Sequence, residues 1–201
     1  MRFPALRVGA GSLLVMTALF FLSGCGEIAA VLLPAAAHEL GHVLALFVLG
    51  LPIRGFRIDL QGFCIEYGGS TGALGHAFAA ASGPVAGFAY AYGASYAGDL
   101  LGSEWLCLTA GISLLLSLFN LLPALPLDGG AILLHLSGAV LGERKARVLT
   151  EISGLLVGAA LLGGGFYLLL RGQGAALLLA SIWLLLAQES GRGLVKRREM
   201  I

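Results

Sequence analysis

Residues 38 to 42 have the sequence His38-Glu39-Leu40-Gly41-His42 and lie within a long apolar stretch. Residues four apart in an α-helix stand one turn apart on the same face, so His38 and His42 can bind one metal ion together. Glu39 then projects about 60 to 100° around the helix from them, beside the open position of the metal. This HExxH pattern is typical of zinc metalloproteases. Because histidines and acids are costly in lipid, three of them in one turn indicate a functional site.

The composition is that of a membrane protein. Of the 201 residues, 58% are hydrophobic and 11% are charged, and the mean hydropathy is +0.93. A soluble core of this size needs far less apolar sequence, so we expect an integral membrane protein. The net charge of +1 gives no indication of nucleic-acid binding. The three cysteines are far apart in the sequence and fit no CxxC pattern, so a disulfide framework is not expected.

Six apolar stretches are each long enough, at about 17 to 25 residues, to cross a bilayer. They cover residues 8–25, 28–50, 73–97, 105–126, 148–170 and 174–190. Small residues crowd the third of them, with Gly83 and Gly87 four residues apart, which predicts a closely packed, central helix. His76, at the cytoplasmic end of this span, is expected to be an interfacial polar residue and not a metal ligand.

Charge around the spans indicates their orientation. If the N-terminus is cytoplasmic, 11 of the 12 Lys and Arg residues lie on the cytoplasmic side, and Arg171 lies on the outer side. This bias predicts that both termini lie in the cytoplasm. The expected location of this multi-pass protein is a cell membrane of the prokaryotic type. The basic tail from Arg192 to Arg198 would then bind anionic lipid.

The first stretch has an alternative interpretation. Met1 to Cys25 combines a basic start, an apolar run and the sequence Leu22-Ser23-Gly24-Cys25, which resembles a bacterial lipoprotein cleavage site. An uncleaved first helix fits a multi-span protein better. Either interpretation leaves the second span running from outside to inside.

Residues 53–67 alternate between apolar and polar side chains instead of repeating every 3.6 residues. This pattern predicts a β-hairpin that turns near Gln61-Gly62. A hairpin between two spans has an open edge, and that edge could hold an extended substrate by strand addition. The alternative is a plain interfacial hairpin with no role in binding.

The apolar sequence from Trp105 to Leu141 is too long for one straight span. It is interrupted by Asn120-Leu121-Leu122-Pro123-Ala124-Leu125-Pro126-Leu127-Asp128-Gly129-Gly130, whose prolines and glycines forbid a regular helix. Broken backbone at membrane depth is tolerated where protein or a water-filled cavity satisfies it. We therefore expect Asp128 to face a polar cavity as a third partner of the histidines, and residues 131–141 to return to the cytoplasm as a half-helix.

Both motifs, in this order and spacing, resemble those of the site-2 protease family of intramembrane zinc metalloproteases. The six-span layout without an inserted PDZ domain is most similar to the sporulation-type branch, which processes sigma-factor precursors. The resemblance implies one Zn²⁺ per chain, held by His38, His42 and Asp128. It implies Glu39 as the catalytic acid/base and Asn120 as a polar group near the scissile carbonyl.

The resemblance also implies partners and a fold. The substrate would be a membrane protein or a membrane-associated protein, membrane regulatory proteins are possible partners, and no nucleic acid is expected. The predicted fold is an all-α polytopic membrane protein of about six transmembrane helices, with a broken helix near Asp128 and a small membrane-associated β-hairpin. We expect a single integral-membrane metalloprotease domain over residues 1–201, with its core spans over residues 28–141.

Ser82-Gly83-Pro84 resembles the small-Gly-Pro element of that family, and three features depart from its pattern. Gly87 stands where an Asn is frequent, Ala131 stands where an Arg is frequent, and the regulatory CBS domain of some members is absent from the sequence. The first two departures leave the zinc chemistry intact. The third leaves regulation and substrate open.

The predicted activity is peptide hydrolysis within the membrane near its cytoplasmic side, as in regulated intramembrane proteolysis. A zinc transporter, or a zinc-binding protein without protease activity, is the alternative from another class. A transporter is expected to carry ligands along a continuous route, whereas these ligands converge on one point. A third possibility is a zinc protease whose third ligand is a glutamate, Glu151 or Glu104.

Overall fold

The computed structural model describes residues 5–8, 25–59 and 62–198 of the chain. The chain forms two compact units, Met1–Asn120 and Leu121–Ile201. Most of the predicted first span, residues 8–25, and the residues before Cys25 in the cleavage-site motif lie outside the described residues. The expectation of one membrane domain over the whole chain stays a prediction.

The first unit contains a small sheet and three helices. Its elements are β1 Ala5–Val8, α1 Cys25–Val48, β2 Ile53–Asp59, β3 Gly62–Tyr67, α2 Ala73–Leu101 and α3 Glu104–Asn120. The second unit is helical over its described residues. Its elements are α4 Asp128–Leu141, α5 Glu143–Leu170 and α6 Ala176–Arg198.

Two of these helices are long and apolar enough to cross a membrane, residues Gly26–Val48 of α1 and Glu143–Leu170 of α5. Helices α3 and α4 and the Ala176–Gln188 part of α6 are shorter apolar helices. The 29 residues of α2 reach far enough to cross, but small and polar side chains make this helix less apolar. The mostly helical fold with a small hairpin is confirmed, and the number of six spans stays a prediction.

The predicted break before Asp128 is confirmed, but its boundaries differ from those expected. Helix α3 ends at Asn120, six residues before the predicted end of the fourth span, because Pro123 and Pro126 cannot continue a helix. Helix α4 begins at Asp128 and not at residue 131. A carboxylate in the first turn is favourable there, since it faces the positive end of the helix dipole.

Helix α2 packs against both α1 and α3 within the first unit, which confirms its predicted central position. Its buried positions are filled by small residues and one proline, which allow close approach of the neighbouring helices. These residues are Ala77, Ala79, Gly83, Pro84, Gly87, Ala91, Ala94 and Gly98.

The hairpin over residues 53–67 is confirmed: β2 and β3 pair antiparallel, with Phe56 opposite Ile65. The predicted turn at Gln61 lies outside the described residues. Ile65 packs against a buried cluster formed by Ala45, Leu46, Leu51 and Ala79. The hairpin therefore rests on the ends of α1 and α2, one turn beyond His42.

A strand that was not predicted, β1, pairs parallel with β2 and completes a sheet with the order β1-β2-β3. β1 thus covers the free edge of β2, and β1 and β3 are the two edge strands of the sheet over the described residues. At the end of β3 the Tyr67 hydroxyl and Nδ1 of His76 are hydrogen-bonded at 3.1 Å. Burial, with a smaller effect of Cys64, raises the pKa of Tyr67, so the phenol is protonated at neutral pH and can donate. His76 is thus hydrogen-bonded to the hairpin, and its expected place at the membrane interface stays a prediction.

Candidate metal centre and active site

His38 and His42 lie on one face of α1, and their Nε2 atoms are 3.2 Å apart. Two nitrogen ligands at 2.0 to 2.1 Å from one tetrahedral zinc ion would stand about 3.3 Å apart. The observed separation therefore fits two ligands of one ion. His38 is buried, with 4% of its surface exposed, and His42 is half-buried.

A backbone carbonyl orients His42. The Nδ1–H of this residue donates to the carbonyl oxygen of Ala79 on α2, at 2.8 Å. The same oxygen accepts from the Ser82 hydroxyl at 2.6 Å. With its proton on Nδ1, the neutral ring presents the lone pair of Nε2 to a metal, an arrangement common among zinc-binding histidines.

Gly83 makes the space in which the two Nε2 atoms meet. A Cβ atom at this position would lie 2.7 Å from Nε2 of His38, and closer still to Nε2 of His42. Gly41 lets α1 and α2 approach closely at this point. A Cβ atom added at Gly41 would lie 2.6 Å from the Cβ of Ala86. Any larger residue at position 83 would occupy the volume where a metal ion would bind.

Glu39 follows His38 directly and is half-buried on the same turn of α1. Its position one residue on from His38 turns its Cα–Cβ bond about 100° around the helix from that of His38. This is where a general base for a metal-activated water is needed.

Asn120 lies at about the same depth as the histidines. The indole N–H of Trp105 donates to Gly26 O at 3.0 Å, which places the start of α3 beside the start of α1. At 1.5 Å per residue, Asn120 lies about 23 Å along α3 and His42 about 24 Å along α1. The Asn120 amide donates to Leu116 O at 3.1 Å, which ties the side chain to the last turn of α3.

The same contact argues against Glu104 as a zinc ligand. Glu104 precedes Trp105 and therefore lies near Gly26, about 18 Å along α1 from His38. A glutamate side chain is too short to cover this distance.

Asp128 is the first residue of α4, in the second unit, and is half-buried. Residues 121–127 fold back over the first turn of this helix. A Cβ at Gly129 would meet the backbone of Leu121 and Leu122, and a Cβ at Gly130 would lie 2.5 Å from Leu125 N. The two glycines therefore allow the broken segment to lie against the helix that carries Asp128. The role of Asp128 as third ligand stays a prediction.

The donor set suits zinc. Imidazole nitrogens and a carboxylate oxygen are ordinary zinc ligands, and three protein ligands leave one position for water in a catalytic site. The spacing of the two Nε2 atoms and the cleared space at Gly83 fit such an ion.

Sequence reasoning missed two supports of the site, the Ala79 carbonyl and the space at Gly83. The small residues of the third span predicted close packing but not what the packing serves. Backbone carbonyls give no sequence signal, so the Ala79 contact could not have been found without the structure.

The chain is similar to known proteins in sequence and in fold. Residues 70–163 match the model of Peptidase family M50. A putative zinc metalloprotease of Synechocystis sp. is 33% identical over 132 residues, which cover 62% of this chain and 35% of that protein. The chain thus spans about a third of the length of that relative.

A solved structure shares the fold. The site-2 protease from Methanocaldococcus jannaschii matches with a TM-score of 0.71 and 20% sequence identity, covering 92% of this chain and 89% of that one. The predicted enzyme class, a zinc metalloprotease, agrees with the family model and with the relative. The chain therefore resembles Peptidase family M50 over residues 70–163, just under half of its length, and shares the fold of a site-2 protease.

Proposed function

We propose that this protein is an intramembrane zinc metalloendopeptidase. It hydrolyses a peptide bond of a membrane-embedded or membrane-associated protein, close to the cytoplasmic side of the bilayer, as in regulated intramembrane proteolysis. The observation that carries this proposal is the pair of Nε2 atoms 3.2 Å apart, with Glu39 on the same turn of an apolar helix. A transport route needs ligands spread along a path, whereas these two nitrogens converge on one point.

In this proposal His38, His42 and Asp128 hold one zinc ion. When bound, zinc lowers the pKa of water to about 7 and polarises the scissile carbonyl. Ala79 O keeps the His42 ring in the orientation and tautomer that binding requires. Gly83 keeps side-chain atoms out of the space between the rings.

Glu39 moves the proton. Its carboxylate accepts a proton from the attacking water and passes it to the nitrogen of the leaving amine as the peptide bond breaks. Asn120, at the depth of the histidines, supplies an amide donor near the oxygen of the scissile carbonyl.

The substrate must be extended at this site, because a helix hides its carbonyls within its own hydrogen bonds. The outer edge of β3 is suited to hold such a segment by strand addition. β1 already covers β2, and Ile65 of β3 packs against the buried cluster that includes Ala79, whose carbonyl orients His42. The open edge therefore lies close to the candidate zinc ligands.

Two observations support the proposed topology. β1 lies beside β2, so residues 5–8 and the hairpin that follows α1 are on the same side of the membrane. The basic residues Arg54 and Arg57 of β2 then mark this side as cytoplasmic by the positive-inside rule. A multi-pass protein of the sporulation-type branch, with both termini in the cytoplasm, accounts for both observations.

Chelation and substrate trapping test the proposal. Purified protein in liposomes should lose proteolytic activity when a chelator removes zinc and regain it when zinc is restored. The natural substrate should accumulate in cells that carry Glu39→Gln in place of the wild type, and quantitative comparison of their membrane proteins should identify it. Equal cleavage by metal-free protein and zinc-loaded protein would contradict a zinc protease.

A further inference from the structure

Ser153 on α5 uses its hydroxyl differently from most hydroxyls of the helices. A serine or threonine within a helix usually bonds a carbonyl three or four residues earlier in the same helix. Side chains that do so here are Ser82, Thr109, Ser137, Thr150 and Ser181. Ser153 instead donates to the carbonyl oxygen of Pro123, 30 residues away, at 2.6 Å.

Pro123 lies in the broken segment that precedes Asp128. Backbone groups outside a helix need partners at membrane depth, where water is scarce. Within the segment, Ala124 N donates to Leu122 O at 2.7 Å and Leu127 N donates to Ala124 O at 2.9 Å. The Ser153 hydroxyl supplies the donor for Pro123 O, so a side chain of α5 ties this segment to a neighbouring helix.

Ser153 is itself held in place by its neighbours. It lies about 15 Å along α5 from Glu143, well inside a helix that is long and apolar enough to span the membrane. The next residue, Gly154, is buried, and its carbonyl accepts from Gln188 Nε2 of α6 at 3.3 Å. Helix α6 thus braces the turn of α5 that carries Ser153.

We propose that Ser153 is a positioning residue for Asp128. Leu127 directly precedes α4, and Asp128 is its first residue, so the path of residues 123–127 sets where the Asp128 carboxylate points. The hydroxyl of Ser153 holds that path by its bond to Pro123. This inference rests on the proposed function, because it requires Asp128 to be a zinc ligand.

Metal binding measured directly tests the proposal, with the cobalt(II) ion as the probe. Full-length protein in detergent is stripped of metal and titrated with cobalt, whose visible absorption reports the ligand geometry. We expect Ser153→Ala to bind cobalt about ten-fold more weakly, with altered absorption bands, as when a support of a metal ligand is removed. Ser153→Thr keeps the hydroxyl and should restore both properties.

The matched control is Ser137→Ala, because Ser137 is also half-buried and donates a 2.6 Å bond, but to Leu133 O of its own helix. This variant should bind cobalt like the wild type. If Ser153→Ala aggregates, Ser153→Cys keeps the size with a weak donor and should show the same loss.

The outcomes separate the two proposals. Wild-type affinity and spectrum in a well-folded Ser153→Ala, while the wild type binds metal and cleaves substrate, would overturn the positioning role alone. The same loss in Ser153→Thr as in Ser153→Ala would overturn it too, since the cause would then be packing. A wild type that binds neither zinc nor cobalt would overturn the proposed function and this inference together.

Discussion

At the scale of single residues, the proposed function gives different tasks to adjacent side chains on α1. The two histidines present their Nε2 atoms to one point, and one ring is fixed by a backbone carbonyl. Glu39 lies on the same turn but to one side, where it can move a proton without being needed to hold the ion. We therefore expect metal binding and proton transfer to be separable by mutation.

Glu39→Gln should abolish cleavage while zinc occupancy stays nearly full. Glutamine keeps the size of the side chain but cannot accept a proton, so a loss of roughly 10²-fold to 10⁴-fold in rate or more is expected. Zinc content by elemental analysis and cleavage of a membrane substrate would be measured on the same preparation. Zinc loss as large as that of His38→Ala would make Glu39 a ligand and its assigned role wrong.

The third zinc ligand can be identified by comparing three carboxylates. Asp128→Ala should lose zinc, whereas Glu151→Ala and Glu104→Ala should keep it. Glu104 also serves as a positional control, because its neighbour Trp105 contacts Gly26, far along α1 from the histidines. Elemental analysis of the purified variants measures the outcome, and zinc lost only with a glutamate would refute the assignment of Asp128.

At the scale of elements, helix α2 contributes a backbone carbonyl to the site and, at a glycine, the space that a side chain would fill. Its Ala79 carbonyl orients His42, and Gly83 leaves the space between the rings. The hairpin packs on the same end of the helix through Ile65 and its cluster. One helix therefore couples the metal ligands to the proposed substrate strand.

Gly83→Ala should reduce zinc affinity by at least about ten-fold. The added methyl group would collide with both Nε2 atoms, and the rings could avoid it only by turning away from each other. Gly93→Ala is the matched control, since it lies on the same helix and its Cβ would meet no other atom within 4 Å. Zinc titration of both variants measures the effect, and equal affinities would mean that Gly83 has no part in the site.

Strand addition at β3 can be trapped through Cys64, which is exposed on this strand. In a Glu39→Gln background, with Cys25 and Cys107 replaced, Cys64 should form a disulfide with single cysteines placed in a substrate. A paired strand lies about 4.8 Å away, within disulfide range.

The matched control moves the cysteine to position 57 of β2, directly opposite Cys64, with Cys64 replaced by serine. A strand added to β3 would lie about 9.6 Å from β2, too far for a disulfide. Cross-linking that is equally efficient from both positions would argue against pairing at the β3 edge.

At the scale of the whole molecule, hydrolysis within a membrane requires a path for water to the metal. Many large apolar side chains are exposed, among them Phe47 at 81% and Val140 at 82%, as expected for a protein surrounded by lipid. The proposed function therefore requires a polar cavity that admits water, and the proposed topology would open that cavity to the cytoplasm.

Single cysteines at Leu127, Ala131 and Leu134 should react with a membrane-impermeant thiol reagent from the cytoplasmic face. The experiment uses sealed, oriented vesicles and a protein in which Cys25, Cys64 and Cys107 are replaced. The expected labelling follows from water access near Asp128. Labelling from the outer face alone would overturn both the topology and the side of cleavage.

The sequence by itself determined the features that depend on neighbours along the chain. Three features follow from local rules of helix or strand geometry. They are the spacing of His38 and His42, the break caused by Pro123 and Pro126, and the alternation of residues 53–67. The tertiary structure alone revealed the contacts between distant segments. Four contacts belong to this class: the bond of His42 to Ala79 O, the space at Gly83, the parallel pairing of β1 with β2, and the bond of Ser153 to Pro123. Backbone carbonyls look alike in every sequence, and a strand of four residues has no pattern of its own, so only the packed chain shows which of them meet.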